Sequence, residues 1–120
     1  MDDSARRAVA YIAGRASSGR RSSAVFDYTR SQYFNFSGKV TESAVSAYDY
    51  SDQCHIGGSG KAGSFTLYHY GEQKHIRLQV NGRKFRGHDY GSGGHFSGTV
   101  NGRRVTIFDY EHSTWHQYSI

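Results

Sequence analysis

The chain of 120 residues has no proline, one cysteine and no long apolar run. Without proline, nothing in it removes a donor from a hydrogen-bonded ladder of strands. The lone Cys54 excludes an internal disulfide framework and favours a reducing compartment. No stretch approaches the roughly 20 apolar residues of a membrane helix. The acidic start, Met1-Asp2-Asp3-Ser4, lacks the apolar segment of a signal peptide. Together these absences predict a soluble, cytoplasmic protein with no membrane partner. Acidic residues are also scarce: 10 Asp and Glu against 15 Lys and Arg leave a formal charge of +5, which favours anionic partners. No phosphate loop, zinc signature or Ser-His-Asp spacing is present. The expectation is therefore no catalytic residue, no metal and no cofactor.

What the chain does have is periodicity. Apolar content is only 36%, but aromatic residues make up 15% and there are 10 Tyr and 15 Gly. An aromatic-Asp-Tyr triplet recurs as Phe26-Asp27-Tyr28, Tyr48-Asp49-Tyr50, Tyr68-His69-Tyr70, His88-Asp89-Tyr90 and Phe108-Asp109-Tyr110, about every 20 residues. Fixed spacing implies one supersecondary unit copied in tandem. Each unit reads as two alternating strands: Ser64–Tyr70, a four-residue turn Gly71–Lys74, His75–Val80, then an Asn81-Gly82 hairpin turn. Five such units predict about ten antiparallel strands in up-and-down order over residues 25–120, closed as a barrel or folded as a two-sheet sandwich.

Residues 1–24 differ. Asp2 and Asp3 suit a helix N-terminus, Ala5, Ala8, Val9 and Ile12 follow at helical spacing, and Gly14 reads as a stop. Residues 16–23, with Arg20 and Arg21, read as a flexible basic linker.

The segment Phe96-Ser97-Gly98-Thr99-Val100-Asn101-Gly102 resembles a MORN-repeat hairpin, and the unit length and aromatics resemble choline-binding repeats. The His-Gly signature and longer period of the first and the Gly-Trp motif of the second are absent, so no functional residue carries over.

Alternation sorts the strands into two faces. Val25, Phe34, Phe36, Val45, Ala47, Ile56, Phe65, Leu67, Ile76, Leu78, Val80, Phe85, Phe96, Val100, Val105, Ile107, Tyr118 and Ile120 form the predicted core. Gly58, Gly60, Gly87 and Gly98 fall on that face and would let the sheet bend. The triplet Asp residues share it at a strand end, where each carboxylate can accept from amides of its own turn.

The other face collects Tyr, His and basic residues. With the turns placed as above, Tyr70 opposes His75, Leu67 opposes Leu78, Val80 opposes Arg83 and Leu78 opposes Phe85. Arg77 faces Arg86, and His75 faces His88. Opposed like charges are mildly destabilising, so the arginine pair points to an anion. Cations beside stacking rings are what single-stranded nucleic acid binders use. The candidate ligand residues are Arg77, Arg86, Lys84 and Arg104 for charge, with Tyr68, His75 and His88 for stacking or hydrogen bonding. The function predicted is a non-enzymatic binding module for an anionic polymer, a nucleic acid or an acidic glycan. Two alternatives stand beside it: a homo-oligomeric assembly protein using the aromatic face or the N-terminal helix, and a carrier or enzyme using a barrel interior.

Overall fold

The computed structural model covers residues 1–120. Helix α1 (Asp3–Ser18) precedes ten strands: β1 (Ala24–Asp27), β2 (Gln32–Val40), β3 (Ala44–Asp49), β4 (Cys54–Lys61), β5 (Ser64–His69), β6 (Lys74–Asn81), β7 (Lys84–Asp89), β8 (Gly94–Asn101), β9 (Arg104–Asp109) and β10 (Thr114–Ser119). Each strand pairs antiparallel with its sequence neighbour, and β1 pairs with β10, closing the barrel. Closure removes both sheet edges. Of the two architectures open to the sequence, the barrel forms and the sandwich does not.

Seventeen of the predicted core residues are buried; Val80 is partly buried. Closure around so few strands demands sharp local curvature. At Gly58, Gly87 and Gly98 a Cβ would stand 2.0–2.1 Å from the carbonyl oxygens of Thr66, Arg77 and Thr106. Only glycine allows strands to approach this closely, which is how barrels build in corners.

The helix occupies the barrel interior. Ala5 through Gly14 are all buried, and α1 touches strands around the barrel, from β1 and β2 through β6 to β10. Small residues make this possible: Ala5, Ala8, Ala10, Ala13 and Gly14 keep the helix thin, while Tyr11 stacks on Phe36 with centroids 4.7 Å apart. Gly14 does not end the helix, contrary to expectation. A Cβ there would lie 2.9 Å from both Ile120 and Val105 side-chain carbons, so this glycine is a packing device. The helix ends at Gly19, whose φ of 68° and N–H to the Arg15 carbonyl close it. Residues 16–18 are thus helical, and the segment after them is tied down. Ser17 donates to the Gly82 carbonyl at 2.6 Å, and the Tyr11 hydroxyl donates to the Ser22 carbonyl.

The two turn types sit one residue away from their predicted places. Asp27, Asp49, His69, Asp89 and Asp109 are the last residues of their strands, so the four-residue loops begin at the following Tyr. The reason lies in those side chains. Asp27 Oδ1 accepts from the Thr29 and Arg30 amides, Asp49 from Ser51 and Asp52, Asp89 from Gly91, and Asp109 from Glu111. His69 substitutes its Nδ1, accepting from the Glu72 amide at 3.1 Å. The fourth loop residue takes a positive φ in every case: Ser31, Gln53, Gln73, Gly93 and Ser113. At the other end Asn81 pairs with Lys84, so the two-residue loop is Gly82-Arg83. Both displacements move the register by two residues. Faces are preserved, but cross-strand partners change. Tyr68 opposes His75 and Leu67 opposes Ile76; Val80 opposes Phe85 and Leu78 opposes Gly87.

Candidate anion-binding face

The new register rearranges the outer surface. Arg77 lies opposite His88, and Arg86 opposite Gln79, so the predicted Arg77–Arg86 pair does not form. His88 is opposed by His95, not by His75. Rows of outward side chains therefore cross three strands. One runs Arg77, His88, His95; the next runs Gln79, Arg86, Ser97. These six residues line a concave groove of about 450 Å³, with Tyr110 at its side. Every one of the six polar side chains can donate a hydrogen bond, and no carboxylate lines the groove.

Two contacts organise the groove. Arg86 donates from Nε to Gln79 Oε1 at 3.0 Å, which fixes the guanidinium plane and leaves its terminal nitrogens without a protein partner. His88 and His95 meet edge to face with Nδ1 atoms 3.4 Å apart. A second groove, about 750 Å³, shares Gln79, Arg86 and Ser97 with the first and runs past Val80, Lys84 and Phe85 to Trp115. It too contains no carboxylate.

The predicted site residues thus divide. Arg77, Arg86 and His88 come together, and Lys84 adjoins them in the second groove. Tyr68 and His75 form an edge-to-face pair 4.8 Å apart, on the same sheet face but outside the groove lining. Arg104 lies apart, with its guanidinium 5.7 Å from the Tyr28 ring. Gln79, His95 and Ser97 join the site unforeseen. The signal for His95 was available: a carboxylate that caps its own turn must end its strand, which sets His88 against His95.

An aromatic belt surrounds the barrel beside the four-residue loops. Phe26, Tyr48, Tyr68, His88 and Phe108 each meet the Tyr two residues on and a cross-strand ring at 4.5–5.0 Å, edge-on or tilted. Such pairs stabilise a hairpin by roughly 0.2–1 kcal/mol each. The outer rings remain in solvent, Tyr33 at 70% and Trp115 at 66% exposure.

No known protein family, curated protein or solved structure matches this chain.

The barrel end at the helix N-terminus has the opposite character. Arg7 reaches Asp52 at 3.0 Å and Asp49 at 3.5 Å, and Arg6 reaches Asp109 at 3.4 Å. Burial pushes the Asp49 carboxyl up, with Arg7 opposing it. Burial would raise Asp109 as well, but the His112 hydrogen bond and neighbouring positive charge hold it below the usual range. Burial lowers His69, whose Nε2 lies 2.9 Å from the Ser4 hydroxyl. Glu72, hydrogen-bonded to Asp2, is pushed up to about 7. Asp109, Glu111 and His112 lie close enough to share a cation. Arg6 and the Met1 amino group already neutralise them there, so they form an internal salt-bridge cluster.

Proposed function

We propose that the protein is a non-enzymatic binding module that holds an anionic polymer on the outer face of β6–β8. The observation that carries this reading is the groove itself: two guanidiniums, two imidazoles, an amide and a hydroxyl around one concavity, with no carboxylate among them. Positive charge left without internal partners recruits negative charge from solution. The exposed rings on its β9–β10 side, Tyr110 and Trp115, add stacking surfaces of the kind that tolerate any base sequence.

Other features favour this reading over its rivals. The helix is enclosed by strands and offers no free face for assembly, and it fills the interior that a carrier would need. Between the aromatic belt and the two-residue loops the outward residues include Ser37, Ser46, Ser59, Thr66, Gln79, Arg86, Ser97, Thr106 and Gln117. A membrane-spanning barrel carries an apolar band there about 25 Å tall.

The test is fluorescence anisotropy with labelled single-stranded DNA, RNA and heparin across a salt series. Wild type should bind, with affinity falling as salt rises. The double variant Arg77→Ala/Arg86→Ala should bind at least about tenfold more weakly, and its salt slope should be shallower by about 1.4, two phosphate contacts on a single strand. Binding that the double variant leaves intact would place the polyanion elsewhere. No binding of any of the three at low salt would end the reading.

A further inference from the structure

The groove holds more positive charge than one phosphodiester supplies in return. Arg77 and Arg86 have no carboxylate within 4.0 Å, and His88 and His95 add two imidazole edges between them. We propose that this groove takes a phosphomonoester, the terminal phosphate of a single-stranded oligonucleotide, with the adjacent base lying in the second groove toward Trp115. The proposal rests on the anionic-ligand reading and narrows it to one end of one polymer class.

Three observations carry it. First, a phosphomonoester bears about −1.5 to −2 charges near pH 7 and three acceptor oxygens, against about −1 for a diester or a sulfate ester. The two guanidiniums match the larger value, and the imidazole edges add hydrogen-bonding groups beside them. Second, Arg86 is pre-oriented. Its Nε is held by Gln79, so its two terminal nitrogens present the fork that pairs bidentately with phosphate oxygens. His88 and His95 face each other through Nδ1 atoms 3.4 Å apart, and both Nε2 atoms lack a protein partner. Third, the grooves are continuous. Gln79, Arg86 and Ser97 line both, and the second leads from the cationic residues past Ser97 and Thr99 to the exposed Trp115 indole. An anionic head joined to a flat ring fits that sequence of surfaces.

The experiment compares two short DNA strands of identical sequence, labelled at the 3′ end, one with a 5′-phosphate and one with a 5′-hydroxyl. The phosphorylated strand should bind about tenfold tighter, with a change in fluorescence of Trp115, the only tryptophan. Arg86→Lys, which keeps the charge and loses the fork, should abolish most of that preference. Inorganic phosphate should compete better than sulfate, and a nucleoside monophosphate better than inorganic phosphate. Equal, salt-dependent binding of the two strands would overturn the terminal-phosphate site and leave the polyanion reading standing. A preference that survives Arg77→Ala/Arg86→Ala would overturn the assignment to this groove. Equal competition by nucleoside monophosphate and inorganic phosphate would overturn the placement of the base. Failure of both strands and of heparin to bind would remove the polyanion reading as well.

Discussion

At the end of the barrel where the helix begins, Arg6, Arg7 and Arg30 are matched to Asp3, Asp27, Asp49, Asp52 and Asp109, whereas none of the other Lys and Arg residues has a carboxylate within 4.0 Å. The same sequence thus uses charge in two ways. At the first end the charges are largely buried, paired and tied to backbone amides. On the outer face and at the opposite end no acidic side chain pairs with them; Arg15 and Arg103 donate there to backbone carbonyls, while Arg77 and Arg86 stand exposed. The distribution also follows the helix: Asp2 and Asp3 sit at its positive N-terminal pole and Arg15 at its negative C-terminal pole. Buried pairs of this kind fix how the helix sits in the barrel. Exposed unpaired cations contribute little to stability, and their clustering is where ligand chemistry is to be sought.

The sharpest way to break the comparison is Asp49→Ala. Asp49 is fully buried, and its loss leaves Arg7, also buried, with only Asp52, while the Ser51 and Asp52 amides lose their acceptor. Removing one partner of a buried pair costs about 3–5 kcal/mol, read as a lower midpoint in chemical denaturation. Because burial pushes the Asp49 carboxyl up, the pair is strained by desolvation, and taking away both partners should hurt less than taking away one. The double variant Arg7→Met/Asp49→Ala is accordingly expected to be more stable than Asp49→Ala. A cost below about 1 kcal/mol for Asp49→Ala would mean that packing alone seats the helix.

That same carboxylate explains how much the sequence could disclose. Faces were legible because alternation has a period of two, and both turn displacements shifted the register by two; hence the core residues from Val25 to Ile120 fall where they were expected. Partners were not legible from turn composition alone. The Asn81-Gly82 pair looks like a complete hairpin turn, yet Asn81 stays in the ladder opposite Lys84. The Asp side chains held the missing information, since a residue that accepts from amides two and three positions on must end its strand. The N-terminal helix was legible, but its seat inside the barrel was not, because the ring of acidic turn residues that holds Arg6 and Arg7 is assembled from distant hairpins. Gly14 looked like a terminator because the side chains it makes room for, Val105 and Ile120, lie at the far end of the chain.

A milder perturbation of the carboxylate end is Glu72→Gln. Glu72 is raised to about 7 from 4.5 by its hydrogen bond to Asp2, by burial and by nearby carboxylates. A carboxyl group with a raised folded pKa binds its proton more tightly in the native state. Its stabilising contribution is therefore complete below about pH 4.5 and fades as pH rises toward 7. Wild type should lose stability between those values through this group, and Glu72→Gln, which keeps a hydrogen-bonding side chain and removes the titration, should flatten the profile. Because Glu72 is exposed, solvent screening limits the gain at pH 8 to under about 1 kcal/mol. Denaturation midpoints at pH 5 and pH 8 give the slope. An unchanged slope in the variant would assign the pH dependence to other groups.

The smallest expected stability change tests the outer face. Arg77 and Arg86 are exposed, and neither holds a salt bridge. Their joint replacement by Ala should move unfolding free energy by no more than about 0.5 kcal/mol, while ligand affinity falls by about tenfold or more. The sign is informative. Arg77 stands one row from Arg86, so trimming both relieves repulsion between the two guanidiniums and should leave stability equal or slightly higher. A loss near that caused by Asp49→Ala would mean that these side chains hold the barrel together through contacts along their alkyl stems. The two ends would then use charge alike, and weakened binding in the variant would report damage to the fold. A near-zero change with lost affinity would separate the two uses of charge within one small barrel.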